Sequence, residues 1–224
     1  MPDLYIITGA NGAGKSSTGS FYLPINIQDN YEIFDGDKLF ALKRKEIYRV
    51  VTPSFKEAGR LATEWLSEHF NEKMLEALEN KNHFVYEGHF PDDENWQTPE
   101  KFKEGGYDIH FIFFGLPNPQ ISELRVIERA RLGGHNVPPY EIERNFYGNL
   151  YQLNQRFEFI DDLQIVDTFE TIPKVLAIFQ SGEVINAIHH GKLPEWIEKY
   201  LPDIYKKIID SEEDPFKDLS RFSE

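Results

Sequence analysis

The sequence predicts an α/β domain whose mainly parallel central sheet has helices on both faces. Short apolar runs alternate with helical stretches, and the clearest run, residues 109–114, is rich in aromatic and β-branched residues until Gly115 ends it. Such alternation predicts right-handed βαβ units, which place their helices on the two faces of one sheet. A length of 224 residues suits one such core rather than two full-sized ones.

The first predicted strand, residues 4–8, leads directly into a glycine-rich loop. Gly9, Gly14, Lys15 and Ser16 complete the pattern G-x-x-x-x-G-K-[ST] between this strand and a predicted helix. In that motif backbone N–H groups surround phosphate oxygens, the lysine reaches the β- and γ-phosphates, and the hydroxyl ligates Mg²⁺. The alternative is a glycine turn that caps a helix. The context therefore predicts a three-layer P-loop NTPase fold that binds ATP or GTP with Mg²⁺. The predicted nucleotide ligands in this loop are Gly9, Ala10, Asn11, Gly12, Ala13, Gly14, Lys15, Ser16 and Ser17.

Acidic residues follow the next two predicted strands, residues 31–34 and 83–87. Ligands of open α/β sheets lie at the carboxyl ends of the strands, and phosphoryl transfer to a hydroxyl needs a carboxylate that accepts its proton. We predict Asp37 as the catalytic base, Asp35 with Ser16 as ligands of Mg²⁺, and Glu87 and His89 beside Asp37 as acceptor ligands. The alternative for Asp35 and Asp37 is a turn that caps a helix.

Arginines are concentrated between residues 125 and 144 of an otherwise acidic chain. Arg125 and Arg129 share one face of a predicted helix at residues 119–132, because they are four residues apart. We predict that Arg129, with Arg144 from the next helix, binds the nucleotide phosphates and stabilises the transferring phosphoryl group. The alternative for each arginine is a solvated helix face with acidic partners.

The remaining elements complete the predicted alternation. Predicted helices are residues 54–79, 119–132 with Gly133 and Gly134 as the C-cap pair, 139–159 and 195–209, and predicted late strands are 164–166 and 175–179. Residues 1–190 are predicted to form a P-loop kinase domain, and residues 191–224 a helical extension with a polar tail.

The composition limits the function further. A formal net charge of −14 argues against duplex DNA binding, which needs a broad basic surface, and it makes nucleic acid an improbable partner. The sequence lacks cysteine, so disulfides and thiolate chemistry are excluded. It also lacks a signal-peptide pattern and a long apolar run, and we therefore expect a cytoplasmic protein with no membrane partner.

Four sequence blocks together resemble the zeta toxin family of P-loop kinases, which includes UDP-N-acetylglucosamine kinases of bacterial toxin–antitoxin systems. They are residues 9–16, 34–37, 85–88, and Glu128-Arg129 with the run His135-Asn136-Val137-Pro138 and the two glycines before it. The resemblance implies that Lys15 binds phosphates, Asp37 is the base, Glu87 contacts a sugar acceptor and Arg129 supports the nucleotide. It also implies a nucleotide sugar as the acceptor and an antitoxin as a candidate partner.

Three hypotheses remain open at this point. The first is an ATP- or GTP- and Mg²⁺-dependent kinase that phosphorylates a hydroxyl of a small molecule. The second is a nucleotide-binding regulatory ATPase module without an acceptor. The third, phosphorylation of nucleic-acid ends, is disfavoured by the net charge of −14.

Overall fold

The computed structural model describes residues 1–132 and 137–213 of the chain. Its strands, in chain order, are β1 (Asp3–Gly9), β2 (Phe34–Asp35), β3 (Phe84–Glu87), β4 (Asp108–Gly115), β5 (Asp162–Asp167), β6 (Lys174–Gln180) and β7 (Glu183–Ala187). Its helices are α1 (Lys15–Thr18), α2 (Ile25–Asn30), α3 (Gly36–Val50), α4 (Phe55–Asn80), α5 (Gln97–Glu104), α6 (Pro119–Arg131), α7 (Pro139–Arg156), α8 (Glu195–Tyr200) and α9 (Pro202–Glu213).

The strands form one sheet in the order β2-β3-β1-β4-β5-β6-β7 within the described ranges. The pairs from β2 to β5 are parallel, whereas β5–β6 and β6–β7 are antiparallel. Helices pack around this sheet, and the predicted mainly parallel α/β fold is confirmed. Because parallel strands end at one edge, Asp35 lies beside Glu87, and Glu87 pairs with Ile7 just before the glycine loop.

The core is built on the two central strands, β1 and β4. Leu4 and Ile6 of β1 and Phe111 and Phe113 of β4 are at most 2% exposed. A strand covered on both faces reads as a continuous apolar run, which explains why β4 was the clearest strand in the sequence. The Trp96 ring stacks on Phe111 at 5.2 Å between ring centroids and continues this core towards α5.

Most of the predicted helices and strands have bounds close to those of the structure, and two predicted elements differ from it. The predicted strand at residues 31–34 is reduced to Phe34–Asp35, which pairs with β3 alone. The predicted helix at 195–209 is divided into α8 and α9, since Pro202 has no N–H to continue a helix and instead begins a new one. The predicted C-cap pair Gly133-Gly134 and the loop residue His135 lie outside the described residues.

The two C-terminal helices pack against the main core. Trp196, Ile197 and Leu201 of the α8 segment and Ile204 and Ile208 of α9 belong to the same buried cluster as β1 and β4. The domain boundary at residue 190 remains a prediction. Among the residues described, none of the helices is both long and apolar enough to cross a membrane.

Gly115, at the end of β4, allows the buried Trp196 ring to approach the sheet. A Cβ at this glycine would lie 2.2 Å from Trp196 Cη2, and Trp196 is 2% exposed. We expect Gly115→Ala to lower the free energy of unfolding by about 1–3 kcal/mol, because a buried ring has to move. Urea unfolding measures the effect. Gly59→Ala in α4 is the matched control, since a Cβ there makes only an ordinary contact with Arg44 at 4.0 Å. Equal stability of Gly115→Ala and wild type would contradict this packing.

Candidate functional site

The glycine loop joins β1 to α1, and its glycines have backbone conformations that other residues rarely adopt. Gly9 has φ 127° and Gly14 has φ 86°. A Cβ on Gly9 would also lie 2.1 Å from the carbonyl oxygen of Phe114 in the neighbouring strand β4. The Ala13 N–H donates to Ala10 O at 3.2 Å and closes the loop. The loop therefore depends on glycine both for its turns and for its close contact with β4.

Lys15 lies inside this loop, with only 5% of its side chain exposed. Its Nζ donates to Gly9 O at 3.2 Å and to Ala10 O at 3.0 Å, and it lies 3.9 Å from Glu87 Oε1. Burial lowers the pKa of Lys15, while the carboxylates of Glu87, Asp37 and Asp35 oppose that shift. The loop thus holds an ammonium group where an anionic phosphate would balance its charge.

Glu87 lies across the loop from Lys15 and is bonded to the neighbouring hydroxyl. The Ser16 Oγ donates to Glu87 Oε2 at 2.8 Å. Burial raises the pKa of Glu87, the Lys15 charge and the Ser16 hydrogen bond lower it, and Asp35 and Asp37 raise it further. Lys15 and the three predicted carboxylates of Asp35, Asp37 and Glu87 are therefore close enough to affect one another's pKa.

The two aspartates lie where β2 passes into α3. The Lys38 N–H donates to Asp35 Oδ1 at 3.0 Å, so Asp35 is the N-cap of α3. The helix-capping alternative therefore holds for Asp35. Asp37 lies in the first turn of α3 and is exposed, and its charge acts on both Lys15 and Glu87. The cap of Asp35 thus orients the turn that carries Asp37.

The donor set at this edge suits a magnesium ion. Ser16 offers a hydroxyl, and Asp35 and Glu87 offer carboxylate oxygens, which are the ligands that this hard cation prefers. The hydrogen bond of 2.8 Å between Ser16 and Glu87 shows that two of these oxygens already approach each other. The residues present therefore fit Mg²⁺.

The predicted arginines occupy different environments. The charge of Arg129 lowers the pKa of both Lys15 and His89, so α6 brings Arg129 towards the glycine loop. Arg144 is 60% exposed and forms an ion pair with Asp92. A phosphate-binding role for Arg144 therefore requires that this surface pair open, and it remains a prediction.

Arg125 contacts the glycine loop, although the sequence analysis assigned it no role in the site. Its guanidinium donates to Gly12 O at 3.4 Å, Thr168 O at 2.8 Å and Phe169 O at 2.9 Å. It therefore connects the loop to the segment that follows β5. The four-residue spacing from Arg129 was the available signal, because it places both arginines on one face of α6.

His89 contacts the glycine loop through buried amides. Its ring nitrogens lie 3.3 Å from Asn11 Nδ2 and 3.3 Å from Asn149 Nδ2. Asn149 Nδ2 also donates to Gly9 O at 3.3 Å, and Asn145 Nδ2 donates to Asn11 Oδ1 at 3.0 Å. His89, assigned to the acceptor by sequence, is thus part of a polar network that supports the loop. The acceptor role remains a prediction.

Asn145 and Asn149 were missed as supporting residues. They are four residues apart on α7, and both are at most 6% exposed. Two buried asparagines at helical spacing among apolar residues are a recognisable signal, since buried amides need partners. The partner itself, a loop more than 130 positions earlier in the chain, is defined only by the fold.

The environment of His89 predicts a pH-dependent stability. Burial, with the nearby Lys15 charge, lowers the pKa of His89 well below 6.5. Below about pH 6.5 His89 therefore binds a proton in the unfolded chain and not in the folded chain. The free energy of unfolding consequently falls as pH decreases, by up to about 1.4 kcal/mol per pH unit. We expect His89→Gln to show a shallower dependence in urea unfolding between about pH 5 and pH 7. Equal slopes for His89→Gln and wild type would contradict a His89 that stays neutral in the folded chain.

Comparisons with known proteins give a family match and similar folds. The Zeta toxin family model matches residues 1–180. Among solved structures, the AvrRxo1-ORF1:-ORF2 complex with ATP contains a similar chain, with TM-score 0.66, 16% identity, 90% coverage of this chain and 64% of that one. The PezAT chromosomal toxin–antitoxin system of Streptococcus pneumoniae gives TM-score 0.60 and 18% identity, with 94% and 86% coverage. The chain thus spans 64% of the first relative's length. No curated protein matches the sequence.

Proposed function

The chain belongs to the zeta toxin family of P-loop kinases, and on this premise we propose that it transfers the γ-phosphoryl group of ATP or GTP to a hydroxyl of a small molecule. The observation that carries this proposal is the convergence of the buried Lys15 with Ser16 and Glu87 at the end of the parallel strands. Lys15 Nζ and Ser16 Oγ lie 3.9 Å and 2.8 Å from the two carboxylate oxygens of Glu87.

Lys15 and the loop amides would bind the triphosphate. Lys15 now donates to two carbonyl oxygens of its own loop, at 3.2 Å and 3.0 Å. A triphosphate would provide anionic acceptors, which form stronger hydrogen bonds with an ammonium than neutral carbonyls do. Arg129 would add a second positive charge as negative charge spreads over the transferred oxygens.

Asp37 would act on the acceptor. Its carboxylate, exposed in the first turn of α3, would accept the proton of the attacking hydroxyl as the new P–O bond forms. Glu87 would orient the acceptor from the adjacent strand β3. Ser16 and Asp35 would hold Mg²⁺, which when bound neutralises charge on the β- and γ-phosphate oxygens.

We propose a nucleotide sugar, with UDP-N-acetylglucosamine as the first candidate, as the acceptor. The experiment incubates the purified chain with γ-labelled ATP or GTP, Mg²⁺ and either UDP-N-acetylglucosamine or a cell metabolite extract. Label on the nucleotide sugar supports the whole proposal, and label on another metabolite supports the kinase with a different acceptor. Release of labelled phosphate alone, with no labelled metabolite, would identify the regulatory ATPase alternative.

An antitoxin protein is the partner that we propose for this chain. The support is that the two similar structures come from the AvrRxo1-ORF1:-ORF2 complex and the PezAT toxin–antitoxin system. Cytoplasmic residence is proposed with it, on the sequence pattern alone. Growth arrest on expression, relieved by co-expression of a protein that co-purifies with the chain, would support the partner. Normal growth during confirmed expression of active enzyme would contradict an antitoxin partner.

A further inference from the structure

Two histidines and a glutamate converge on the surface near the C-terminal end of the described residues. His189 and His190 follow β7, and Glu212 lies near the end of α9. His190 Nδ1 is 2.6 Å and His189 Nε2 is 3.5 Å from Glu212 Oε2. One ligand atom from each residue lies within 4.8 Å of the other two, and within the described ranges this is the one such group of three.

The carboxylate of this cluster is held in place by the backbone. The His190 N–H donates to Glu212 Oε1 at 2.7 Å, which leaves Oε2 directed towards the two imidazoles. The two imidazole rings are stacked, with centroids 4.4 Å apart. Since the residues come from segments 22 positions apart, the fold itself brings these ligand atoms together.

Two imidazole nitrogens with one carboxylate oxygen form a donor set that zinc prefers. Magnesium and calcium favour oxygen ligands alone, whereas Zn²⁺ binds histidine and glutamate in tetrahedral sites. We propose that His189, His190 and Glu212 bind a divalent transition metal ion of the zinc class and thereby join α9 to the turn after β7. Three protein ligands would leave one position to water.

The cluster is open to solvent, so an ion can enter without unfolding the chain. The side chains of His189, His190 and Glu212 are 64%, 40% and 24% exposed. Binding requires free lone pairs on His189 Nε2 and on His190 Nδ1. His190 Nδ1 donates its hydrogen to Glu212 Oε2, and on metal binding this hydrogen moves to His190 Nε2 or to solvent. The Gly191 N–H donates to His189 Nδ1 at 3.2 Å, so neutral His189 carries its hydrogen on Nε2. On metal binding that hydrogen moves to Nδ1 and the Gly191 contact opens.

A metal ion at this site would have a structural role, because it would link α9 to the turn after β7. α9 packs against β7, α7 and α8, and the cluster fastens the last turn of α9 to the short turn at His190–Lys192. An ion that binds the folded chain and not the unfolded chain stabilises the fold by mass action. Ligand binding through imidazole also weakens as pH falls, because protons compete for the same lone pairs.

The test uses the full chain without a polyhistidine tag, stripped of metal and titrated with Zn²⁺ by calorimetry and thermal unfolding. We expect one ion per chain, and a Tm rise of about 5–10 °C at a free Zn²⁺ concentration about a hundredfold above Kd. Glu212→Gln and His190→Ala are each expected to weaken this binding at least about tenfold. Mg²⁺ at the same concentration is expected to produce neither effect through this cluster.

The matched control is His69→Ala, because His69 Nδ1 lies 3.8 Å from one carboxylate, that of Glu72, and His69 belongs to no three-residue group of this kind among the described residues. This variant is expected to bind Zn²⁺ like wild type. Each variant is compared with and without Zn²⁺, so any loss of basal stability does not affect the result. The proposal is wrong if wild type releases no heat with Zn²⁺, or if Glu212→Gln and His190→Ala bind it as tightly as wild type.

Discussion

Asp37→Asn is expected to lower kcat by about 10²- to 10⁴-fold while the affinity for nucleotide changes little. The physical reason is that asparagine keeps the shape of the side chain and cannot accept the proton of the attacking hydroxyl. Asp37 is exposed at the first turn of α3, so the substitution leaves the core intact. Transfer of γ-label to the acceptor measures kcat, and calorimetry measures nucleotide affinity separately.

Asp29→Asn is the matched control for this prediction. Asp29 is an exposed aspartate of α2, and the same isosteric change there is expected to leave turnover at the wild-type level. Turnover of Asp37→Asn within about twofold of wild type would remove Asp37 from the role of base. A loss confined to nucleotide affinity would instead assign Asp37 to binding.

Lys15→Met is expected to lower kcat at least about 10²- to 10³-fold and to weaken nucleotide binding. Methionine retains most of the side-chain volume, so the packing in the loop is conserved while the ammonium is lost. Lys15 is 6% exposed and has a pKa lowered by burial, so its charge is poorly solvated without an anion. The same labelled-transfer assay and calorimetry measure both effects.

Two controls for Lys15→Met separate the loss of the Lys15 charge in the loop from a general loss of charge and from unfolding. Lys101→Met, on the exposed side of α5, removes one lysine charge without touching the loop and is expected to behave like wild type. Lys15→Met is expected to unfold at a Tm close to that of wild type, since burying an ammonium has a desolvation cost that methionine avoids. Full activity of Lys15→Met would contradict the assignment of the phosphate site.

The phosphate loop and the strand-end carboxylates could be predicted because their signals are local. The glycine motif is continuous in sequence, and Asp37 and Glu87 directly follow apolar runs whose parallel pairing brings their ends together. In the structure the charges of Lys15, Asp37 and Glu87 are close enough to shift one another's pKa. Their roles in catalysis remain predictions, which the substitutions at Asp37 and Lys15 address.

The sequence pattern did not predict the environment of Arg144 or the strand β7. The sequence prediction for Arg144 did not include which face of α7 is buried. That buried face carries Asn145 and Asn149, and Arg144 lies on the surface, where it pairs with Asp92. β7 was missed although Ser181 and Gly182, with φ of 49° and 78°, form a tight hairpin turn before it. A Ser-Gly pair between two short strands is a hairpin signal, and the sequence carried it.

The proposed kinase activity depends on the binding of a purine nucleoside triphosphate with Mg²⁺ by residues 9–16. Isothermal titration calorimetry of the purified chain with Mg²⁺ and non-hydrolysable analogues of ATP and GTP tests it most directly. We expect saturable heat with one site per chain for at least one analogue, and loss of that heat in Lys15→Met. Absence of heat with both analogues, or an undiminished signal in Lys15→Met, would contradict it.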